Sequence, residues 1–289
     1  MTRLMLLLAL QAACNPVRHI PDPGVQAPTV VQPPPKALAH YVRGRLALLD
    51  GDLGKADQSL SMARLFDPRS PWIPIAQGEV ALVRGDVRAA AIAWQEATRV
   101  DPSCATAWLY RARVDRLQGR PEAAAGHYHK ARELEHGWQA WAGEIDAWLH
   151  AGHRDQAAAV LAEWNAEATL LSAAAAERGH RRLQLGDPEG AAADLVLAVR
   201  AHPDDLGAVR RWVAAVLQCA DQGPALAEVD RLQMLAPLAT APLWASAVLG
   251  DHAGDASRVS AALKQWAALA PDDATLRILR EDILEGGSP

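Results

Sequence analysis

The residues best placed to do chemistry are a short run of imidazoles around one carboxylate: His127, His129, Glu133 and His136. On a helix, His129 and Glu133 stand one turn apart, close enough for a ring nitrogen and a carboxylate oxygen to share a divalent cation. The plainer reading is a solvated helix face that carries surface histidines, and the rest of the chain favours it. Zinc-protease, phosphate-loop, nucleophile-elbow and Rossmann patterns are all absent. His150 and His153 flank Gly152 and read as turn residues rather than ligands. The expectation is therefore a protein with no catalytic residues, no metal and no cofactor.

The elements that carry these residues follow a period. Pro68, Pro102, Pro203, Pro237 and Pro271 recur, and neighbours within the two groups are 34 residues apart. Taking Pro68 as position thirty-two of a unit, the units run 37–70 and 71–104, and a third starts at 105. Position eight is then Gly44, Gly78 and Ala112, and position twenty is Ala56, Ala90 and Ala124. Position twenty-four is Leu60, Trp94 and Tyr128, and position twenty-seven is Ala63, Ala97 and Ala131. Two antiparallel helices pack closely only where one offers a small side chain to a large one on the other. Gly51, Gly85 and Gly119 fall at the turn between the paired helices, where a left-handed residue ends the first of them. Asp67-Pro68 and Asp101-Pro102 stop the second helix.

The middle of the chain is less regular. His136 replaces the third proline, and a fourth unit fits only if it begins at Trp138, one residue early. The fifth unit, 172–205, recovers with Gly179, Gly186, Ala191, Leu195, Ala198 and Pro203. The sixth and seventh, 206–239 and 240–273, depart at Val213 and Val259. Residues 274–285 form one more amphipathic helix, with Leu276, Leu279 and Ile283 on one face and Arg280, Glu281 and Asp282 off it, as a stacked array needs to end in water.

This pattern resembles the tetratricopeptide repeat over about four-fifths of the chain. The resemblance implies an all-α fold: a right-handed α-solenoid over residues 37–285 of about seven helix-turn-helix repeats, closed by a C-terminal capping helix. It also implies a concave groove lined by positions two, five, nine and twelve of each first helix. In the first three units these are Leu38, Tyr41, Arg45 and Leu48, then Trp72, Ile75, Glu79 and Leu82, then Thr106, Leu109, Arg113 and Arg116. Such a strip, apolar with arginines at its margins, suits an extended or helical protein segment with apolar anchors and some acid. Of the ten tryptophans, Trp94, Trp108, Trp141, Trp164 and Trp266 are expected in the core, whereas Trp72 and Trp244 are expected on the groove. Cys104 and Cys219 lie more than three repeats apart and are expected unpaired.

The N-terminus is built differently. Arg3, the apolar run Leu4 to Leu10 and the small pair Ala12-Ala13 make residues 1–13 a short signal peptide. Cys14 directly after that pair resembles the lipidated cysteine of a bacterial lipoprotein, and Asn15 then favours the outer membrane. Gln11 departs from the aliphatic residue usual at its position. Residues 14–36 hold seven prolines and read as a tether of about 70 Å at full reach.

The formal net charge is −5 and lysine occurs only at 36, 55, 130 and 264, so no basic footprint for nucleic acid exists. The function expected is a non-catalytic scaffold tethered on the periplasmic face of the outer membrane, with a protein segment in its groove. The alternatives are a docking subunit that regulates an envelope enzyme, a self-associating structural array, and a soluble exported form of the protein.

Overall fold

The computed structural model of the chain describes residues 32–135, 137–166 and 172–284. The signal peptide, Cys14, His136 and most of the tether lie outside the described residues. Among the described residues there are fifteen helices and no strand. They pack as two compact units that divide between His136 and Gly137. That boundary falls where the proline spacing fails and the fourth repeat starts early.

The first unit holds three helix pairs: α1 (Pro35–Leu49) with α2 (Leu53–Phe66), α3 (Trp72–Arg84) with α4 (Val87–Val100), and α5 (Ala105–Leu117) with α6 (Pro121–Leu134). The second holds α7 (Trp138–His150) with α8 (Arg154–Ala166), α9 (Ser172–Leu185) with α10 (Pro188–Ala201), α11 (Leu206–Val216) with α12 (Gly223–Leu235), and α13 (Ala241–His252) with α14 (Ala256–Leu269). A final helix, α15 (Ala274–Leu284), buries Leu276 and Leu279 and exposes Arg280, Glu281 and Asp282. The all-α architecture of paired helices is as the resemblance implies. Helix α1 begins at Pro35, two residues earlier than the expected boundary, because proline fits the first turn, where its missing N–H is no loss.

Four of the seven pairs close by the same local chemistry. Gly85 takes φ +88°, a left-handed conformation that costs glycine little, and Asp86 then caps α4 by accepting the Ala89 amide at 2.9 Å. The same Gly-Asp step recurs at Gly51-Asp52, Gly186-Asp187 and Gly254-Asp255, with cap bonds of 3.0, 2.9 and 3.0 Å. Its four aspartates are a repeat feature that the proline and alanine pattern did not single out.

Small-to-large packing holds the pairs together. Ala56, Ala90, Ala124, Ala157 and Ala191 are fully buried. Gly44, Gly78 and Gly179 lie so close to Leu60, Trp94 and Leu195 that a β-carbon at any of them would sit within 3.0 Å of that side chain. Successive repeats are keyed by ion pairs: Arg64 to Glu96 at 3.0 Å in the first unit, and Arg181 to Asp146 at 2.7 Å and Arg200 to Glu228 at 2.6 Å in the second. Cys104 and Cys219 are both free thiols.

The tryptophans divide differently from expectation at one position, Trp108. Trp94, Trp141, Trp164 and Trp266 are buried, and the rings of Trp141 and Trp164 stack at 6.4 Å. Trp108 is only half-buried: its indole N–H donates to the Pro102 carbonyl at 2.9 Å and its ring lies 5.5 Å from His127. Trp244, expected on the groove, is half-buried: it packs partly against the core of the second unit, and the exposed Arg210, at the same position of the preceding repeat, lies over its ring at 5.4 Å.

Candidate functional site

The surface formed by α1, α3 and α5 is where the groove residues come together. Position two opens each helix with an exposed or half-exposed side chain: Leu38, Trp72 and Thr106. Trp72 is 43% exposed at the first residue of α3. Eleven residues on, about 16 Å along the axis and on the same face, position thirteen adds Leu49, Val83 and Leu117, all exposed. This second row was missed in the sequence, although three large apolar residues at a spacing of 34 were there to be seen.

Between the two rows lies a polar cluster rather than a continuous apolar strip. The Glu79 carboxylate accepts from the Arg45 guanidinium and the Tyr110 hydroxyl. The Arg113 guanidinium lies over the Tyr110 ring, 5.3 Å from its centroid. A carboxylate this deeply buried is tolerated only with such partners. The expectation that Glu79 lines the groove is therefore corrected: it ties three repeats together from below. Ile75 is corrected too. It is 3% exposed and packs with Trp94 and Val114, so it belongs to the core. Leu48 is likewise buried. Both corrections have one cause, since each successive repeat covers part of the first helix before it.

What remains open to a partner is Leu38, Trp72 and the position-thirteen row, with Tyr41, Arg45, Leu82, Leu109 and Arg113 half-buried between them and Arg116 exposed at the margin. The chemistry of this face is recognition: aromatic and aliphatic anchors flanked by guanidinium groups.

The histidines are held by other partners. His127 Nδ1 lies 2.6 Å from Asp115 Oδ2, and Asp115 also accepts from Arg120. Burial and the nearby Arg111 charge hold the His127 imidazole below its ordinary pKa, against the pull of Asp115. His129 and Glu133 do approach, at 3.7 Å, on an exposed helix face where Lys130 also reaches Glu133 at 3.0 Å. His150 bonds the Asp146 carbonyl at 2.6 Å, and His153 meets Trp148 edge-on at 5.7 Å. Among the described residues, no three His, Cys, Asp or Glu side chains are grouped to hold a metal ion. No helix among them is long and apolar enough to cross a membrane.

Residues 75–135 match the family model described as Tetratricopeptide repeat. No curated protein matches the chain. Among solved structures, the C-terminal part of a TPR repeat-containing protein from Cytophaga hutchinsonii superposes with a TM-score of 0.57 at 13% identity, over 83% of this chain and 98% of that one. PilW, titled a widely conserved type IV pilus biogenesis factor, superposes with a TM-score of 0.49 at 13% identity, over 84% of this chain and 97% of that one. The first TPR of Spaghetti (RPAP3), bound to the HSP90 peptide SRMEEVD, does so with a TM-score of 0.39 at 19% identity, over 40% of this chain and 94% of that one. The family match places a tetratricopeptide repeat at residues 75–135, and the first of these superpositions shows the same fold of paired helices over most of the chain.

Proposed function

We propose that this chain is a non-catalytic scaffold that holds a segment of a partner protein on the face of its first three repeats. The observation that carries the reading is Trp72, a large aromatic left exposed at the head of α3, with a second row of exposed apolar side chains eleven residues further along the same face. Exposed apolar surface in such rows marks an interaction site. The guanidinium groups of Arg113 and Arg116 add a preference for acid in the bound segment. Residues 1–36 add the second half of the reading, in which lipid on Cys14 tethers the array to the periplasmic face of the outer membrane. There the array assists assembly of an envelope machine.

The experiment compares capture of envelope proteins by the wild-type chain and by Trp72→Ala. Truncating an interfacial tryptophan typically costs about 2 kcal/mol or more, roughly thirtyfold in affinity. Capture should fall by that order while melting stays unchanged. Arg113→Glu with Arg116→Glu should weaken capture in a salt-dependent way. Unaltered capture by all three substitutions would refute the groove assignment. Cys14→Ser should release the protein from membranes. A wild-type chain recovered soluble, with its mature N-terminus away from Cys14, would refute the tether.

A further inference from the structure

Positions six and ten of the first helices are where one repeat seats on the one before it. In the second repeat they are Ala76 and Val80, and in the third Tyr110 and Val114; all four are buried. Ala76 and Val80 pack on Ala47 and Leu48 of α1 and on Ala56 and Leu60 of α2. In the seventh repeat the same positions, Ala245 and Leu249, are buried as well.

In the first repeat these positions are Val42 and Leu46, and they are 46% and 56% exposed. With Leu38 and Leu49 they make one apolar stripe along α1 at spacings of four, four and three residues. The array therefore starts on an apolar stacking surface, whereas at its other end α15 turns Arg280, Glu281 and Asp282 outward. The stripe shares Leu38 and Leu49 with the edge of the groove, but Val42 and Leu46 lie further round α1, where a preceding repeat would stand.

We infer that this N-terminal stripe is a docking seat for one acidic amphipathic helix of a partner protein, which takes the place of a preceding repeat's second helix. The shape argument is the register itself: equivalent positions elsewhere are covered by helices. The charge argument selects the occupant. Helix α1 carries Lys36 and Arg43, both exposed, and no acidic residue, while its third cation, Arg45, is taken up by Glu79. A second copy would set these basic side chains against their own kind, whereas glutamates flanking a leucine stripe would pair with them. The size argument agrees. Four side chains on a helix of 15 residues, about 22 Å long, offer room for one helix and fall well short of the roughly 1,200–2,000 Å² of a stable interface between folded proteins.

The test uses the full chain and a labelled helical peptide of the length of α1, with leucines on one face and glutamates beside them. A control peptide has lysines in place of the glutamates. Fluorescence anisotropy should show saturable binding of the acidic peptide, weaker as salt is raised and weaker for the lysine peptide. Leu46→Asp and Val42→Asp should each reduce binding about tenfold or more with melting unchanged, since both positions are solvent-facing. Trp72→Ala should leave it intact, which separates this seat from the groove. Equal binding by Leu46→Asp, or no binding by the wild-type chain, would overturn the inference. So would a dimer in sedimentation that Leu46→Asp dissociates, or a photo-crosslink from position 46 into residues 1–31 of the same chain.

Discussion

Gly78→Ala sets two physical effects against each other, and their magnitudes decide the sign. Gly78 lies in the middle of α3, where alanine is the better helix former by ~0.8–1.0 kcal/mol. Propensity alone therefore predicts a more stable protein. The added methyl, however, would lie 2.2 Å from Trp94 Nε1 and 2.6 Å from its Cδ1 and Cε2. The indole has nowhere easy to go: it is buried, and its N–H donates to the Ile75 carbonyl at 3.0 Å. Forcing side chains off their rotamers in a packed core costs ~1–3 kcal/mol. If the ring shifts enough to lose its bond, a buried unpaired donor adds ~1–3 kcal/mol. The expected balance is a loss of about 0–5 kcal/mol, centred between 2 and 3. Gly126→Ala is the internal control. It lies inside α6, its added β-carbon meets nothing within 4 Å, and it should stabilise by ~0.8–1.0 kcal/mol. Urea unfolding followed by far-ultraviolet circular dichroism should give midpoints that move in opposite directions for the two variants. A Gly78→Ala midpoint at or above the wild-type value would refute the packing argument and with it the repeat register.

Ala90→Leu and Ala124→Leu should each destabilise by ~1–3 kcal/mol, because both residues are fully buried at the closest approach of paired helices; wild-type melting by either variant would count against that approach. His127 makes a prediction in pH. Its folded pKa is depressed by burial, so below about pH 6.5 the unfolded chain binds the proton more readily and the fold loses stability as pH falls. His127→Gln should therefore show a smaller drop in melting temperature than the wild type between about pH 7.5 and 5. Parallel pH profiles for the two proteins would refute the depressed value.

The period, the helix pairs and the turns were legible in the sequence because they are written in residues that act locally. A left-handed glycine such as Gly85, a proline such as Pro102 and a small residue such as Ala90 impose their constraints wherever they stand. Repetition at a spacing of 34 then exposes them above the noise of single positions. The capping aspartates at Asp52, Asp86, Asp187 and Asp255 are equally local.

The site was legible only in part. That Trp72 and Leu38 face outward follows from their place in the repeat. That Ile75 and Glu79 do not is a property of the helices packed on them: α4 and α5 cover Ile75 with Trp94 and Val114, and α5 supplies Tyr110 to the Glu79 carboxylate. The sequence by itself determined which residues turn, cap and interdigitate, since those are choices of backbone conformation and side-chain volume within one pair of helices. The tertiary structure alone decided which side chains remain for a partner, because burial is set by the helix stacked beside each residue. At Val42 and Leu46, among the described residues, no such helix stands.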